Sequence, residues 1–424
     1  MENEEKKEYA VLIGASTGSG DLDDTDDASM NELAELAQTA GAEVGGIIVQ
    51  NIKTADPRTV IGKGKVEEIK EFIDNNKITL AIFDRELSGS VTKNLENDLG
   101  VRVIDRSRLI LDIFAGRATT KEGKCQVELA QMKYILPRLS GIGADLSRQG
   151  GGIGTRGPGE TKLETDRRHI QRKIEYLSEE LKDIEKHRVN LRKKRPGDNI
   201  IRIAVVGYTN AGKSSLVNLL TGENDAYVEN KLFATLDPII RKICINGRTE
   251  AYISDTVGFI RKLPHHLIEA FKSTLEEVRY ADIIIHLIDA SSEEAEKSIA
   301  VAENILKQLG ADSKPKIRVF NKCDAAEPPR ELQDGESVNI SVKENKNIDI
   351  LLERIEKMIS SFKHNVFLKI PYERADVRGY IFKTATVIAD EAGEEGYKME
   401  ITADDECFNK IKKYIVREGK GFGI

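Results

Sequence analysis

The 424-residue sequence contains no tryptophan, only 4 cysteines, and no apolar run near the roughly 20 residues that a membrane-spanning helix needs. Its cysteines show none of the short paired spacings of a disulfide scaffold or a zinc ribbon, which favours a reducing compartment. The charged first residues do not resemble a signal peptide. These absences predict a cytoplasmic protein with no membrane segment.

Charge is unevenly distributed along the chain. The 64 Lys and Arg against 71 Asp and Glu give a net charge of −7, which by itself disfavours a nucleic-acid binder. Residues 101–196, however, hold 22 basic and 13 acidic side chains, a net +9, and the other segments together carry −16. Such segregation lets one segment meet a polyanion while the rest stays acidic. An ordinary solvated helical surface is the alternative interpretation.

Residues 1–118 alternate apolar strand-like runs with amphipathic helix-like stretches. This alternation predicts a small α/β domain whose parallel sheet is covered by helices. The predicted strands are 10–13, 44–49, 79–83 and 101–104, and the predicted helices are 31–40, 65–75 and 88–98.

Residues 119–197 have the pattern of a helical hairpin, with helices at 122–139 and 162–195. Glycine supplies 8 of the 19 residues at 141–159, which predicts a flexible loop at the hairpin tip. Along the second helix, apolar residues recur at steps of three, four and seven, which is the repeat of a coiled coil.

The alternation of strands and helices returns in residues 198–362 and predicts a second, doubly wound α/β domain. Residues 363–424 predict a small α+β domain with a strand, a helix, two strands and a helix. In the second α/β domain the predicted strands are 201–206, 251–254, 283–288 and 317–320, and the helices are 213–220, 267–280, 292–309 and 348–360. The predicted fold class is therefore multidomain α/β.

Residues 207–214, G-Y-T-N-A-G-K-S, match the phosphate-loop pattern G-x-x-x-x-G-K-[ST] between a predicted strand and a predicted helix. The backbone N–H groups of such a loop surround phosphate oxygens. Lys213 is expected to bridge the β- and γ-phosphates, and Ser214 is expected to hold Mg²⁺. The segment Asp255-Thr256-Val257-Gly258 follows another strand, so Asp255 can hold Mg²⁺ through water while the Gly258 N–H faces the γ-phosphate.

Two more segments at strand ends predict that the base is guanine. In Asn321-Lys322-Cys323-Asp324, the Asp324 carboxylate can accept from the ring N–H and the amino group of guanine, a pairing that disfavours adenine. Ser341-Val342-Lys343 can place a backbone N–H near the guanine carbonyl. All these segments converge on one crevice at the carboxyl edge of the sheet. The predicted nucleotide-binding residues are Gly207, Tyr208, Thr209, Asn210, Ala211, Gly212, Lys213, Ser214, Ser215, Phe233, Ala234, Thr235, Leu236, Asp237, Asp255, Thr256, Val257, Gly258, Asn321, Lys322, Cys323, Asp324, Ser341, Val342 and Lys343.

The predicted catalytic groups for GTP hydrolysis are Lys213, Gly258 and the switch threonine Thr235, which would complete the Mg²⁺ shell only when the γ-phosphate is present. Many GTPases place glutamine directly after the glycine of D-x-x-G, but here Phe259 stands there and cannot orient water. Hydrolysis is therefore expected to be slow without outside help. We also formulate the hypothesis that Asn210 holds K⁺ near the phosphates, with simple capping of the loop as the alternative.

Residues 233–238 together with 255–260, and the glycine segment 150–161 with the helix after it, resemble the HflX family of translation-associated GTPases. The resemblance covers about residues 9–360, and Ile239 departs from the threonine expected there. It implies binding to the large ribosomal subunit and dissociation of stalled or stress-trapped ribosomes, with no DNA or membrane partner. A glycine tip that carries arginines suits rRNA. The rRNA-contact residues expected on this basis are Arg148, Gly150, Gly151, Gly152, Gly154 and Arg156.

Two other functions remain open from the sequence. A regulatory GTPase whose coiled-coil hairpin binds a protein partner fits the same motifs, because coiled coils bind proteins more often than RNA. An ATP-dependent RNA remodeller fits less well, since Asp324 is suited to guanine.

Overall fold

A computed structural model describes residues 8–18, 24–141, 158–193, 200–222, 232–233, 239–247, 249–262, 267 and 275–419. Three β-sheets follow one another along these residues, and a two-helix hairpin lies between the first and the second sheet in the sequence. This order confirms the predicted multidomain α/β fold. None of the helices in this described part of the chain combines the length and hydrophobicity needed to cross a membrane.

The N-terminal domain, residues 8–118, is built on a four-stranded parallel sheet in the order β2-β1-β3-β4. Its strands are β1 Tyr9–Ser16, β2 Glu43–Asn51, β3 Leu80–Phe83 and β4 Arg102–Asp105, and its helices are α1 Asp27–Thr39, α2 Lys63–Asn76, α3 Gly89–Leu99 and α4 Arg106–Arg117. Helices α2 and α3 cover one face of the sheet, and α1 and α4 cover the other. All residues of β3 are buried, as expected for a strand covered on both faces.

Helix α4 was not predicted from the sequence. The sheet lies on one side of it and the first hairpin helix on the other, so 7 of its 12 residues are buried. Its apolar residues therefore occur around most of its circumference. The one-sided periodicity that reveals a surface helix is absent from such a segment.

The hairpin consists of α5 Lys121–Ile135, a 3₁₀ turn at Leu136–Gly141, and α6 Pro158–Lys193. Ion pairs from Lys121 to Glu180 (2.6 Å) and from Lys173 to Glu128 (3.0 Å) show that the two helices run antiparallel. Leu177 of the predicted apolar repeat is buried between them. Helix α6 begins inside the segment predicted as a loop, because proline is well suited to the first helical position. Residues 142–157, and with them Arg148, Gly150, Gly151, Gly152, Gly154 and Arg156, lie outside the described residues.

The G domain, residues 200–362, contains a six-stranded sheet in the order β10-β9-β8-β5-β7-β6. Its strands are β5 Ile201–Gly207, β6 Ile239–Ile245, β7 Thr249–Asp255, β8 Ile283–Asp289, β9 Lys316–Asn321 and β10 Val338–Asn339, and its helices are α7 Lys213–Thr221, α8 Glu276–Tyr280, α9 Ala295–Gln308 and α10 Ile348–Ser361. Only β6 is antiparallel to its neighbour in this sheet. This edge strand was not predicted, because Ile239 and Ile240 are both exposed and obscure the alternation.

The C-terminal domain, residues 363–419, is an antiparallel sheet in the order β12-β13-β11-β14 with two helices. Its elements are β11 Lys363–Ile370, α11 Ala375–Thr384, β12 Thr386–Gly393, β13 Gly396–Asp404, α12 Asp405–Ile411 and β14 Ile415–Gly419. The predicted α+β unit is confirmed, and β14 is an additional strand at the edge of the sheet.

A buried charge cluster lies at the carboxyl edge of the N-terminal sheet. Arg106, only 2 % exposed, donates from Nη1 to Asp84 Oδ1 at 2.7 Å and from Nη2 to Glu32. The hydroxyl of Ser29 donates to Asp84 Oδ2 at 2.6 Å. Burial removes the hydration of these side chains, so the hydrogen bonds and counter-charge within the protein have to replace the lost water contacts.

We expect Arg106→Met to lower the free energy of unfolding by about 3–5 kcal/mol, because it leaves buried carboxylates short of a counter-charge. Arg102→Met is the matched control, since its ion pair with Glu8 is about half exposed on both sides and is worth at most about 1 kcal/mol. Urea unfolding followed by circular dichroism measures both. Equal effects of the two substitutions would contradict the structural role of the cluster.

Candidate guanine-nucleotide site

The phosphate loop joins the end of β5 to the start of α7. Gly212 caps the helix at φ +94°, and a Cβ there would lie 2.4 Å from the side-chain nitrogen of Asn321. Only glycine fits this conformation at this distance from a neighbour. The loop therefore leads directly into the N-terminus of α7, and a helix N-terminus is a favourable place for phosphate oxygens.

Lys213 is the buried cation of this loop. Its Nζ donates to the carbonyl oxygen of Tyr208 at 2.7 Å. Burial lowers the pKa of Lys213 to about 8, and the nearby Asp255 carboxylate only partly opposes this. The lysine is thus held beside the loop backbone, in an environment where an added phosphate charge would stabilise its protonated form.

The residues predicted to hold Mg²⁺ are adjacent. The Ser214 hydroxyl donates to Asp255 Oδ2 at 2.7 Å. The residue expected to bind Mg²⁺ directly and the residue expected to bind it through water therefore lie side by side. A hydroxyl beside a carboxylate is a donor set that suits this cation, which prefers oxygen ligands and retains water. Thr235, the third predicted ligand, lies outside the described residues together with Ala234, Leu236 and Asp237.

Asn321 connects the three segments that are predicted to surround the base and the phosphates. Its side-chain nitrogen donates to the Ala211 carbonyl at 2.9 Å, and its side-chain oxygen accepts from the Val342 N–H at 3.0 Å. The hydroxyl of Ser341 donates to Asp324 Oδ1 at 2.6 Å and helps to hold the pKa of Asp324 below its usual range. A carboxylate kept ionised and oriented in this way is suited to accept from guanine.

The other base-side residues take up supporting positions. Lys322 has φ +65° and pairs through Nζ with Asp289 at 2.6 Å. The backbone N–H of Cys323 donates to the Ile340 carbonyl at 3.1 Å, which joins this segment to the one that contains Ser341.

Gly258 is in close contact with the phosphate loop. A Cβ at this position would lie 2.7 Å from Thr209 Cγ2 and 2.9 Å from Lys213 Nζ, so the approach requires glycine. The next residue, Phe259, is 2 % exposed and belongs to a hydrophobic cluster with Val206 and Val278. Its ring therefore lies in the core, where it cannot position a water molecule.

Two of the residues predicted to bind nucleotide have side chains that make other contacts within the protein. The hydroxyl of Thr256 donates to the Val205 carbonyl at 2.7 Å and ties β7 to β5. Val257 is buried in a cluster that also contains residues of α1 and α4. Asn210, by contrast, has φ +61° and an exposed side chain, and it lines a cavity of about 500 Å³ between the G domain and the N-terminal domain.

The structure also places the N-terminal domain against this site, which no sequence signal indicated. Arg261 donates two hydrogen bonds to the Asp26 carboxylate at 2.9 and 3.0 Å. Lys262 Nζ donates to Asp84 Oδ2 at 2.5 Å. The ring of Phe233, another predicted site residue, packs edge-on against Phe114 of α4 with the ring centroids 4.6 Å apart.

A phosphate loop, a Ser–Asp pair for Mg²⁺ and an Asn–Lys–Cys–Asp segment at one edge of a doubly wound sheet define a P-loop GTPase, an enzyme that hydrolyses GTP with Mg²⁺. Three family models agree with this class. They are described as "GTP-binding GTPase N-terminal" at residues 27–115, "GTP-binding GTPase Middle Region" at 117–195 and "50S ribosome-binding GTPase" at 202–322. The chain belongs to the HflX family of GTPases, as its relatives show.

Two of these relatives match nearly the whole chain. It is 48 % identical to GTPase HflX of Caldanaerobacter subterraneus over 412 residues, which is 97 % of this chain and 94 % of that protein. It is 38 % identical to GTPase HflX of Escherichia coli over 396 residues, which is 92 % of each chain. Among solved structures, a GTP-binding protein from the archaeon Sulfolobus solfataricus in complex with GDP matches with a TM-score of 0.44 and 26 % identity, over 84 % of this chain and 99 % of that one.

Because the pKa of Lys213 is about 8, we expect nucleotide affinity to fall as the pH rises above that value. Lys213 is already charged at lower pH, whereas at higher pH it must take up a proton to pair with phosphate. The dissociation constant of GDP should therefore be about tenfold larger at pH 9 than at pH 7. The reason is that Lys213 is mostly protonated at pH 7, and each pH unit above its pKa reduces the protonated fraction about tenfold. Fluorescence titration across this range measures it.

Lys213→Arg is the control for this prediction, because the arginine guanidinium stays charged throughout. The affinity of this variant for GDP should therefore not change between pH 7 and pH 9. Lys213→Ala should lose tight binding at every pH, since the phosphates lose their main side-chain partner. A constant affinity of the unsubstituted protein between pH 7 and pH 9 would contradict the depressed pKa.

Proposed function

We propose that this GTPase binds the large ribosomal subunit and dissociates stalled or stress-trapped ribosomes. In this proposal GTP orders the switch loops, and the glycine-rich hairpin tip contacts rRNA. The observation that carries the proposal is the two-helix arm together with its charge, because residues 101–196 carry a net +9 and a hairpin that binds only a protein needs neither this charge nor a glycine-rich tip.

The dimensions of the arm support a role at a distance from the nucleotide. Helix α6 has 36 residues and so is about 54 Å long at 1.5 Å per residue. Antiparallel packing against α5 stiffens part of this length through the cluster that contains Leu177. The chain between the two helices carries Arg148 and Arg156 among its glycines, and such a sequence can approach nucleotides closely and pair with phosphate.

The nucleotide site supports an on–off mechanism. Ser214, Thr235 and Asp255, the last through water, would hold Mg²⁺, and Thr235 would join only in the GTP form. Phe233, Val257 and Ile260 flank these residues and pack against the N-terminal domain. A change in the first switch segment, around Thr235, or in the second switch segment, which begins at Asp255, would therefore disturb this packing. The description of the matching family model, a ribosome-binding GTPase, agrees with the large subunit as the partner.

The buried position of Phe259 supports dependence on the ribosome. A hydrolytic water needs a group to orient it, and Phe259 supplies none. We propose that the ribosome orders or supplies the missing group, and that K⁺ near Asn210 adds positive charge in the transition state. The exposed side chain of Asn210 leaves it accessible for this role.

We expect purified large subunits to stimulate GTP turnover in K⁺ buffer by about tenfold or more, which corresponds to about 1.4 kcal/mol of barrier. Replacing Gly150–Gly154 by a rigid alanine run should leave GTP binding intact while weakening this stimulation and co-sedimentation with subunits. The reason is that a rigid tip loses the close backbone approach to rRNA.

Salt dependence distinguishes the alternative partner in the same assay. Contact with rRNA phosphates should weaken steeply as salt rises, because bound counterions are released on association. Weak salt dependence, together with no stimulation by subunits, would overturn the proposal and favour a regulatory GTPase whose hairpin binds a protein.

Turnover should also be faster in K⁺ than in Na⁺ buffer at equal ionic strength, if Asn210 holds K⁺. Asn210→Ala should remove this difference between the two cations while GDP affinity changes little, since the proposed ion acts in the transition state. Steady-state phosphate release measures both. Equal turnover of the unsubstituted protein in the two buffers would reject the cation.

A further inference from the structure

We propose that Tyr208 is a positioning residue for GTP hydrolysis, and that Glu32 of the N-terminal domain acts on the nucleotide site through it. The Tyr208 hydroxyl would hold the start of the second switch segment in place, so that the contact between Gly258 and the γ-phosphate depends on α1. This inference concerns the GTPase reaction itself and does not depend on the ribosomal role.

The hydroxyl of Tyr208 is both an acceptor and a donor of hydrogen bonds. It accepts from the backbone N–H of Arg261 at 2.8 Å and donates to Glu32 Oε2. Burial and the adjacent Glu32 carboxylate both raise the pKa of Tyr208, so the hydroxyl keeps its proton and remains a donor. One side-chain atom therefore links the phosphate loop, the second switch segment and the N-terminal domain.

In the part of the segment after Gly258 that the structure describes, three hydrogen bonds join it to the phosphate loop. Two are between backbone groups: the Phe259 N–H donates to Gly207 O at 3.0 Å, and the Thr209 N–H donates to Phe259 O at 2.8 Å. The third is the bond from the Arg261 N–H to the Tyr208 hydroxyl. Only the third depends on a side chain, and only the third continues into another domain.

Glu32 is itself fixed by a counter-charge. Its second carboxylate oxygen accepts from Arg106, which also pairs with Asp84 at 2.7 Å. Arg261, whose backbone N–H donates to the Tyr208 hydroxyl, is bound through its guanidinium group to Asp26 of the N-terminal domain. Both ends of the Glu32–Tyr208–Arg261 chain of hydrogen bonds are thus attached to α1 and its neighbours, and a shift of the N-terminal domain must move them.

The chemical consequence is specific to GTP. The Gly258 N–H is the group expected to meet the γ-phosphate, which GDP lacks. The segments expected to bind the base are joined through Asn321 to Ala211 and Val342, and neither of these two hydrogen bonds involves the Tyr208 hydroxyl. Losing that hydroxyl should therefore affect the GTP form and the transition state while leaving GDP binding nearly unchanged.

The test is Tyr208→Phe, which keeps the ring and removes only the hydroxyl. We expect kcat to fall about tenfold, because small displacements of a catalytic contact have large effects on rate. The affinity for a non-hydrolysable GTP analogue should fall about fivefold relative to that for GDP, and the GDP affinity should change by less than about twofold. Tyr176→Phe is the matched control, since that tyrosine lies 60 % exposed on α6.

A double-mutant cycle tests the part played by the N-terminal domain. Glu32→Ala should reproduce the loss of kcat, and Tyr208→Phe should add little to it, because both changes remove the same link. Glu32→Gln keeps an acceptor oxygen for the hydroxyl and should lower kcat less than Glu32→Ala. Thermal unfolding of each variant distinguishes lost positioning from lost folding.

Three results would overturn the proposal. One is an unchanged kcat in Tyr208→Phe. Another is an equal loss of GDP and GTP-analogue affinity, which a merely structural role of the hydroxyl would give. The last is full additivity of the two substitutions, which would mean that Glu32 does not act through Tyr208.

Discussion

Pairing of buried charges at the carboxyl edge of the N-terminal sheet determines how the two α/β domains meet. Asp84 is fully buried and Glu32 nearly so, and each buried ion costs several kcal/mol unless counter-charges and hydrogen bonds surround it. Arg106 supplies one counter-charge from the same domain. Lys262 supplies another from the G domain. The two domains are therefore joined by a requirement for charge neutrality as well as by apolar contact.

The contact involves the part of a GTPase that responds to the γ-phosphate. Arg261 and Lys262 lie three and four residues after Gly258 of the D-x-x-G segment, and Val257 and Ile260 enter the hydrophobic core of the N-terminal domain. Because Val257 and Ile260 are buried against the N-terminal domain, a change of conformation at these residues would disturb that packing. A displacement of Gly258 by a bound γ-phosphate would therefore be expected to reach the second domain through these contacts.

The parts that sequence predicted best are those with a local signal. The nucleotide segments were located because each has a distinctive composition and follows a buried strand, and parallel strands bring their carboxyl ends to one edge. Helix α4 gave no such signal, since it is buried on most sides. Strand β6 gave none either, because Ile239 and Ile240 are exposed together.

The contacts of Arg261 and Tyr208 with the N-terminal domain could not be predicted for a different reason. A charged side chain after a switch motif is typical of a solvated surface, and nothing in the sequence near residue 261 identifies Asp26 as its partner. Long-range pairings of this kind depend on the folded arrangement of both domains. The unexpected contacts therefore cluster between the domains, whereas the predicted ones cluster at strand ends.

The distance along the chain between the paired charges has a consequence for synthesis. Asp84 and Lys262 are 178 residues apart, and Asp26 and Arg261 are 235 apart. At about 5–20 residues per second, roughly 10–35 s pass between translation of Asp84 and of Lys262. During that interval the side chain of Asp84 has no lysine from the G domain, and its partners among the described residues of the N-terminal domain are Arg106, Ser29 and Thr25. Completion of its sheet edge is thus a late event, timed by the arrival of the G domain.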